Sequence, residues 1–147
     1  MMSRLFTLHE AEELLPTVGR CLRSAVDNRK NASDLEGEIT TWLSRISTSG
    51  GVVVDATKFA EMKAGRERAV ERLKQALEEI EKSGCLVKDL DIGLVDFPTM
   101  FDGEEVYLCW KLGEPNIGFW HHTSEGYKGR KSIDQEFLNR HRGGPTQ

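Results

Sequence analysis

Apolar residues recur at helical spacing through the first part of the chain. The first stripe is typical of one face of an amphipathic helix and consists of Leu8, Ala11, Leu15, Val18, Leu22 and Ala25. Thr7 and Glu10 form a capping box before it, because each side chain can bind the backbone amide of the other residue. Pro16 lacks an amide hydrogen and interrupts the stripe. We therefore expect two helices, over about 8–14 and from 16 onward, or one kinked helix, ending in the polar stretch 28–31.

A second capping box, Ser33 with Glu36, begins another apolar stripe. Its members are Leu35, Ile39, Trp42, Leu43 and Ile46. The small and polar residues 47–51 end this stripe and predict a mobile loop. A further helix, separate from the segment that ends at 28–31, is therefore expected over about 33–46.

The last helical stripe has the seven-residue intervals of a short coiled-coil seam. It consists of Phe59, Met62, Ala69, Leu73, Leu77 and Ile80. Asp55 or Thr57 can cap this helix, and Ser83 and Gly84 form its C-terminal stop. The stripe favours packing within a helical hairpin, and the alternative is a homodimer through the same residues.

After residue 84 the pattern changes to the period of two that is typical of strands. Asp102 and Gly103 form a two-residue hairpin turn, because both positions tolerate positive φ. The turn sets the register, which pairs Phe101 with Glu104, Thr99 with Val106, Phe97 with Leu108 and Val95 with Trp110. One face then collects the apolar side chains and is expected to pack on the helices. The other face collects Asp96, Tyr107, Cys109 and Lys111.

Residues 113–116 form the next turn. A four-residue loop there places Cys109 opposite Trp120, so that both lie on the face of Asp96. His121 then points toward the helices, and His122 joins the face of Cys109. A change of one residue in the loop exchanges the two histidines.

Composition bounds the class of protein. The chain has 147 residues, of which 38% are hydrophobic and 30% charged, which suits one domain with a modest core. A net charge of -4 with intermixed signs argues against a nucleic-acid binder and against a membrane-surface protein. The first residues lack a long apolar run and become acidic by Glu10, so we expect neither a secretory signal nor a membrane-spanning segment. Cys21, Cys85 and Cys109 are odd in number and far apart, which is typical of reduced thiols in a cytoplasmic protein.

The order of the elements predicts a single α+β domain over 1–141. An N-terminal antiparallel helical hairpin or three-helix layer over 7–83 is expected to pack on a small C-terminal antiparallel sheet over 85–122. Residues 142–147 are expected to form a disordered tail.

Several segments resemble a bacterial and archaeal family known as domain of unknown function 2203. They are FTLHEAEELLP at the start, then VKDLDIGLVDFP, LCWKLGEP, WHH and EGYKGR, so the resemblance spans nearly the whole chain. The family has one histidine after the tryptophan, which aligns with His121, and His122 also follows here. No established activity, substrate or cofactor comes with the family, so the resemblance implies only a block of motif residues. These are Lys88, Asp89, Gly93, Asp96, Cys109, Trp110, Gly113, Glu114, Trp120, His121, Gly126, Gly129 and Arg130.

A divalent metal is one candidate ligand for these residues. His121 or His122 could bind it together with a carboxylate such as Asp96, because imidazole with carboxylate suits zinc, iron or manganese. His9 and Glu13, four apart on one helix face, could contribute ligands across the fold. The alternative is a hydrogen-bonded structural histidine, since the chain has no HxxxH or HExxH spacing.

Acid/base or nucleophilic chemistry is a second candidate. Asp96 flanked by apolar residues can have a raised pKa, and the alternative is a solvated aspartate. Cys109 as a nucleophile would need a base such as His122 or Lys111, and the alternative is an inert buried thiol. Residues 126–131 carry three cations on a glycine-rich loop that could bind an anion, the alternative being an exposed turn.

The aromatic residues of the strands form a third feature. Most of them are expected to build the core of the sheet. If Trp120 and Tyr107 lie on the outer face, they form an apolar patch that marks a partner or ligand surface.

The leading hypothesis is a non-catalytic module that binds a small molecule or a protein partner at the sheet and its loops. Its candidate ligand-binding residues are Asp96, Cys109, Trp110, Glu114, Trp120, His121 and Arg130. One alternative is a metal-assisted or acid/base enzyme that uses His121 with Asp96 or Glu114, and another is a dimeric helical scaffold. A divalent metal, at His121 with His9 and Glu13, is the one cofactor considered.

Overall fold

Two long helices form the first part of the chain in the computed structural model, which describes residues 4–48 and 56–144. Helix α1 spans Leu8–Thr48 and helix α2 spans Ala56–Lys82. Pro16 lies inside α1 without ending it. Within the described residues, no helix combines the length and apolarity that crossing a bilayer requires.

The predicted break in α1 at 28–31 is wrong, because the helix continues through this stretch. The stretch is polar but contains neither proline nor glycine. Asn28 donates to the Ser24 carbonyl one turn back at 2.8 Å, a bond that a helical backbone accommodates. The apolar stripes before and after it therefore belong to one helix. The predicted loop residues 49–51 and the predicted cap Asp55 lie outside the described residues.

The chain divides into two compact units. The helical unit, Ser24–Ala76, contains the facing stretches of α1 and α2. Trp42 stacks on Phe59 with ring centroids 5.2 Å apart, and Arg66 donates to Glu36 at 2.6 Å. Along these contacts the residue number falls on α1, from 42 to 36, as it rises on α2, from 59 to 66. The two helices are therefore antiparallel, as predicted. In this unit, two members of the α2 stripe, Met62 and Ala69, are buried within the chain, as is Ala76, which the predicted stripe did not include. Whether two copies associate stays a prediction.

The second unit, Met1–Arg23 with Leu77–Gln147, contains an antiparallel sheet and is called the sheet unit. Its strands are β1 (Leu86–Asp89), β2 (Leu94–Phe101), β3 (Glu104–Lys111), β4 (Phe119–His122), β5 (Lys131–Ser132) and β6 (His141–Arg142). The order is β1-β2-β3-β4-β5, and β6 pairs with β2. Helix α3, Gln135–Arg140, begins at Asp134, whose side chain accepts the Phe137 amide. The predicted α+β class is confirmed.

The sheet extends past residue 122, which is the end predicted for it from the sequence. Strands β5 and β6 both follow that point, and Arg142 pairs with Met100. The Thr99 hydroxyl also donates to the Arg142 carbonyl at 3.0 Å. Arg142 was therefore wrongly placed in the disordered tail, and residues 145–147 of that tail lie outside the described residues.

The register of the first hairpin is confirmed. Phe97 pairs with Leu108 and Val95 with Trp110, and the turn residues Asp102 and Gly103 have φ values of 53° and 77°. Such angles are those of a two-residue turn whose twist matches the strands.

The register predicted for the second hairpin is wrong by one residue. Cys109 pairs with Phe119 rather than Trp120, and Tyr107 pairs with His121. The Glu114 side chain causes the change, because its Oε1 accepts the Lys111 amide at 2.7 Å and closes the turn at the end of β3. Since a shift of one residue turns every side chain over, His121 lies on the face of Asp96.

The helix-side surface of the sheet is apolar and is called the apolar face. Phe6 meets Phe97 edge to face with centroids 5.3 Å apart. A Cβ added to Gly19 of α1 would lie 3.6 Å from the Trp110 ring. Phe137 of α3 stacks on Trp120 with centroids 4.9 Å apart. The opposite surface, which carries Asp96, Cys109 and His121 in alternation with these residues, is called the polar face.

Candidate functional site

Three potential metal ligands of different chemistry meet on the polar face. Asp96 is on β2, Cys109 on β3 and His121 on β4, and we call them the triad. One ligand atom from each lies within 4.8 Å of the other two. Their exposed fractions are 1%, 0% and 2%, so the triad is enclosed in the protein.

The imidazole of His121 is held at both nitrogens. Nδ1 lies 2.8 Å from the His122 carbonyl oxygen. A carbonyl can only accept, so Nδ1 carries a hydrogen and donates it. Nε2 lies 3.1 Å from each carboxylate oxygen of Asp96. A proton is therefore shared between Nε2 of His121 and the carboxyl group of Asp96, and it resides on one of these two groups.

Asp96 is not the solvated aspartate that the alternating pattern allowed. Burial raises the pKa of its carboxyl, and the hydrogen bonds and charges of His121, Cys109 and Lys88 oppose that rise. These three neighbours, rather than water, are therefore what favours the carboxylate form against the effect of burial.

Cys109 is unsuited to act as a nucleophile. Burial raises the pKa of its thiol to about 12, and the charge of Asp96 adds to the effect. Both nitrogens of His121 are already engaged, so no imidazole is left to remove the thiol proton. His122, considered above as its base, lies on the apolar face and bonds to Glu104 at 2.8 Å.

Arg130 connects Cys109 to the second hairpin. Its guanidinium donates to Glu114 at 3.0 Å, and its charge opposes the rise that burial causes in the pKa of the Cys109 thiol. It packs 4.0 Å from the centroid of the Phe119 ring, which holds its plane in place. Glu114 thus shapes the turn and positions Arg130 with the same carboxylate.

Lys88 flanks the triad from the outer strand β1. Its ammonium lies 4.6 Å from the centroid of the Tyr107 ring and acts electrostatically on Asp96. The register of β1 against β2 is irregular between Val87 and Asp89, so Lys88 occupies a bulge. Lys88 belongs to the motif block, but strand alternation cannot place a residue in a bulge.

The other candidate residues lie elsewhere. Trp110 and Trp120 are buried on the apolar face, so the patch expected from Trp120 with Tyr107 is wrong. His9 and Glu13 pair with each other on the exposed surface of α1 and are not part of the triad.

The glycine-rich segment 126–131 contains a short 3₁₀ turn, Tyr127–Gly129. Two of its three cations face carboxylates, because Arg130 pairs with Glu114 and Lys131 with Glu125 at 2.8 Å. The segment therefore braces the sheet, and this pairing disfavours the anion-binding loop considered above.

The comparisons with known proteins agree with the motif block. Residues 4–133 match the model of the family described as "Uncharacterized conserved protein (DUF2203)". Since the match covers most of the chain, the chain belongs to this family. No curated protein and no solved structure matches the chain.

Proposed function

We propose that this member of the DUF2203 family is a metal-binding protein whose site is the triad of Asp96, Cys109 and His121. The observation that carries the proposal is the enclosed meeting of one oxygen, one sulfur and one nitrogen donor from three adjacent strands. Thiolate and imidazole favour borderline ions such as zinc or cobalt over magnesium or calcium.

The distance between two of the donors is compatible with a bound ion. Zinc binds nitrogen and carboxylate oxygen at about 2.0–2.2 Å, which at a tetrahedral angle separates the two atoms by about 3.3 Å. The observed separation between His121 Nε2 and the Asp96 oxygens is 3.1 Å. An ion could therefore replace the shared proton with little movement of either side chain.

Each ligand also has an outer partner, as protein metal sites usually do. The His122 carbonyl fixes the His121 tautomer so that Nε2 faces the triad. Arg130 acts electrostatically on Cys109, and Lys88 acts electrostatically on Asp96. A cation would favour the Cys109 thiolate that burial now disfavours.

The energetics of burial give a second reason. Replacing a buried ion pair with apolar residues of similar size is often neutral or stabilising. The other face of the same strand, with Val95 and Phe97, is filled with apolar side chains. The presence of three buried polar side chains where apolar ones would stabilise the fold equally well therefore favours a role for the triad beyond stability.

Cobalt(II) titration of protein purified without an affinity tag and stripped with chelator tests the proposal. We expect one equivalent per chain, with the charge-transfer absorption that a cobalt–thiolate bond produces. Cys109→Ser should abolish this absorption and weaken binding on the order of a hundredfold or more. The matched control, Cys21→Ser, should leave both unchanged.

A second control addresses the exposed pair on α1. His9→Gln should not alter the stoichiometry, since His9 and Glu13 lie away from the triad. If the unaltered protein takes up no cobalt or zinc, or if Cys109→Ser binds as tightly as the unaltered protein, the proposal is wrong.

A further inference from the structure

We infer that the metal takes its fourth ligand from outside the chain and that this ligand is a small anion, such as a carboxylate or an inorganic oxyanion. The inference rests on the metal site proposed above. Structural zinc sites use four protein ligands, whereas sites with three protein ligands bind water or a substrate at the fourth position. Within residues 4–48 and 56–144, the donor group holds three side chains.

The charges around the triad favour an anion over a neutral ligand. In the loaded site, the Asp96 carboxylate and the Cys109 thiolate together neutralise a divalent ion. Arg130 is neutralised by Glu114, to which it donates at 3.0 Å. Lys88 acts electrostatically on Asp96, and its ammonium lies over the Tyr107 ring. Its positive charge would therefore favour an anionic fourth ligand over a neutral one.

The position of Lys88 fits a residue that admits and holds such a ligand. It is exposed, whereas the triad is enclosed, and it lies in the bulge of the outer strand β1. A lysine is a flexible point charge on a four-carbon stem, so its ammonium can leave the Tyr107 ring to pair with an incoming anion. The rigid cation Arg130, held by Glu114 and Phe119, remains on Cys109.

The cobalt(II)-loaded protein provides the test, because its visible spectrum reports the fourth ligand. Azide, acetate and inorganic phosphate are titrated separately at constant ionic strength. We expect a saturable spectral change with at least one of them while the charge-transfer absorption of Cys109 persists. Lys88→Gln should weaken the apparent affinity about threefold to tenfold. The matched control, Lys82→Gln at the exposed end of α2, should leave it unchanged.

The outcomes separate this inference from the metal site itself. If cobalt binds with its thiolate absorption but none of the three anions changes the visible spectrum, the inference is wrong and the metal site stands. The inference is also wrong, and the metal site again stands, if anions bind equally well to Lys88→Gln and to the unaltered protein. If cobalt does not bind at all, both proposals fail.

Discussion

Val95 and Asp96 are neighbours on β2, they point to opposite sides of the sheet, and neither is more than 1% exposed. Around Val95 the protein buries aromatic and aliphatic side chains against α1 and α3. Around Asp96 it buries a carboxyl, a thiol and an imidazole that satisfy one another. Within the described residues, no buried side-chain nitrogen or oxygen lacks a hydrogen-bond partner.

This difference shows that a side chain can be fully buried in this sheet without being apolar. On the apolar face each side chain contributes roughly in proportion to the area that it removes from water. On the polar face each member depends on the others, because an unpaired charge or polar group in the interior is costly. The two faces should therefore respond to substitution in different ways.

The largest expected effect comes from breaking the triad on one side. Asp96→Val leaves the His121 ring without its partner, and His121→Leu leaves a buried carboxyl unpaired. Each should lower the free energy of unfolding by about 3–5 kcal/mol. The double variant should recover most of this loss, because apolar groups can replace both partners. Urea unfolding of the chelator-treated protein, followed by circular dichroism, measures all three. Additive losses in the double variant would contradict this account of the polar face.

The apolar face should behave otherwise. Leu108→Ala removes buried methyl groups beneath Trp120, its partner across the strands. We expect a loss of about 2–5 kcal/mol, because the cavity cannot close completely. Combining it with Val106→Ala should deepen the loss. If the second substitution restored stability, the proposed distinction between the faces would not hold.

The two hairpins show which part of this arrangement the sequence predicts. A two-residue Asp-Gly turn allows one register, so the neighbours Asp96 and Cys109 could be placed together in advance. The second turn holds Glu114, whose side chain binds the backbone of Lys111. The residue types of a turn do not predict such a side-chain bond. The predicted register was therefore wrong by one residue, which exchanged the faces of His121 and His122. Family motif alignment, rather than the strand register, favoured His121 over His122.

Burial of the polar face could not be predicted from alternation either. A strand with one apolar and one polar side is typical of a sheet that is solvated on the polar side. Here Lys88, which acts electrostatically on Asp96, lies in a bulge, and Arg130, which acts on Cys109, follows a short 3₁₀ turn. Both depend on irregular segments, where periodicity carries no information. The continuity of α1 has a different reason: polarity alone does not end a helix, and residues 28–31 contain no helix breaker.

Substitution of Glu114 should cause a destabilisation of intermediate size and should affect the polar face without affecting the apolar face. Its carboxylate serves the polar face through Arg130, while its backbone carbonyl accepts the Trp110 indole of the apolar face at 3.0 Å. Glu114→Ala removes only the side-chain bonds. We expect about 1–3 kcal/mol of destabilisation, since a charge-assisted bond and a turn contact are lost. Trp110 is expected to keep its indole bond.

Thiol reactivity measures the consequence for the polar face. Cys109 is buried in the unaltered protein, so native-state modification by a disulfide reagent should be limited to the half-exposed Cys21. In Glu114→Ala, Cys109 should become reactive at a measurable rate while Cys85 remains protected. Equal protection of Cys109 in both proteins would show that the hairpin does not support the triad.

The smallest effect is expected where the same kind of interaction is exposed to water. Glu10 accepts the Thr7 amide at 2.9 Å at the start of α1, and this bond lowers the pKa of its carboxyl. A lowered folded-state pKa stabilises the fold above the unfolded-state value, near 4.3, and the contribution disappears as the pH falls through the lowered value. Glu10→Gln should therefore cost at most about 1 kcal/mol at pH 7 and progressively less below pH 4.

The exposed Glu12 is the matched control, and Glu12→Gln should leave the free energy of unfolding at pH 7 almost unchanged. The contrast between Glu10 and Asp96 isolates the effect of burial. Both carboxyls are held by hydrogen bonds, but water can replace the partner of Glu10 and cannot replace the partner of Asp96. If Glu10→Gln destabilised the protein as strongly as Asp96→Val, enclosure could not be the reason for the sensitivity of the polar face.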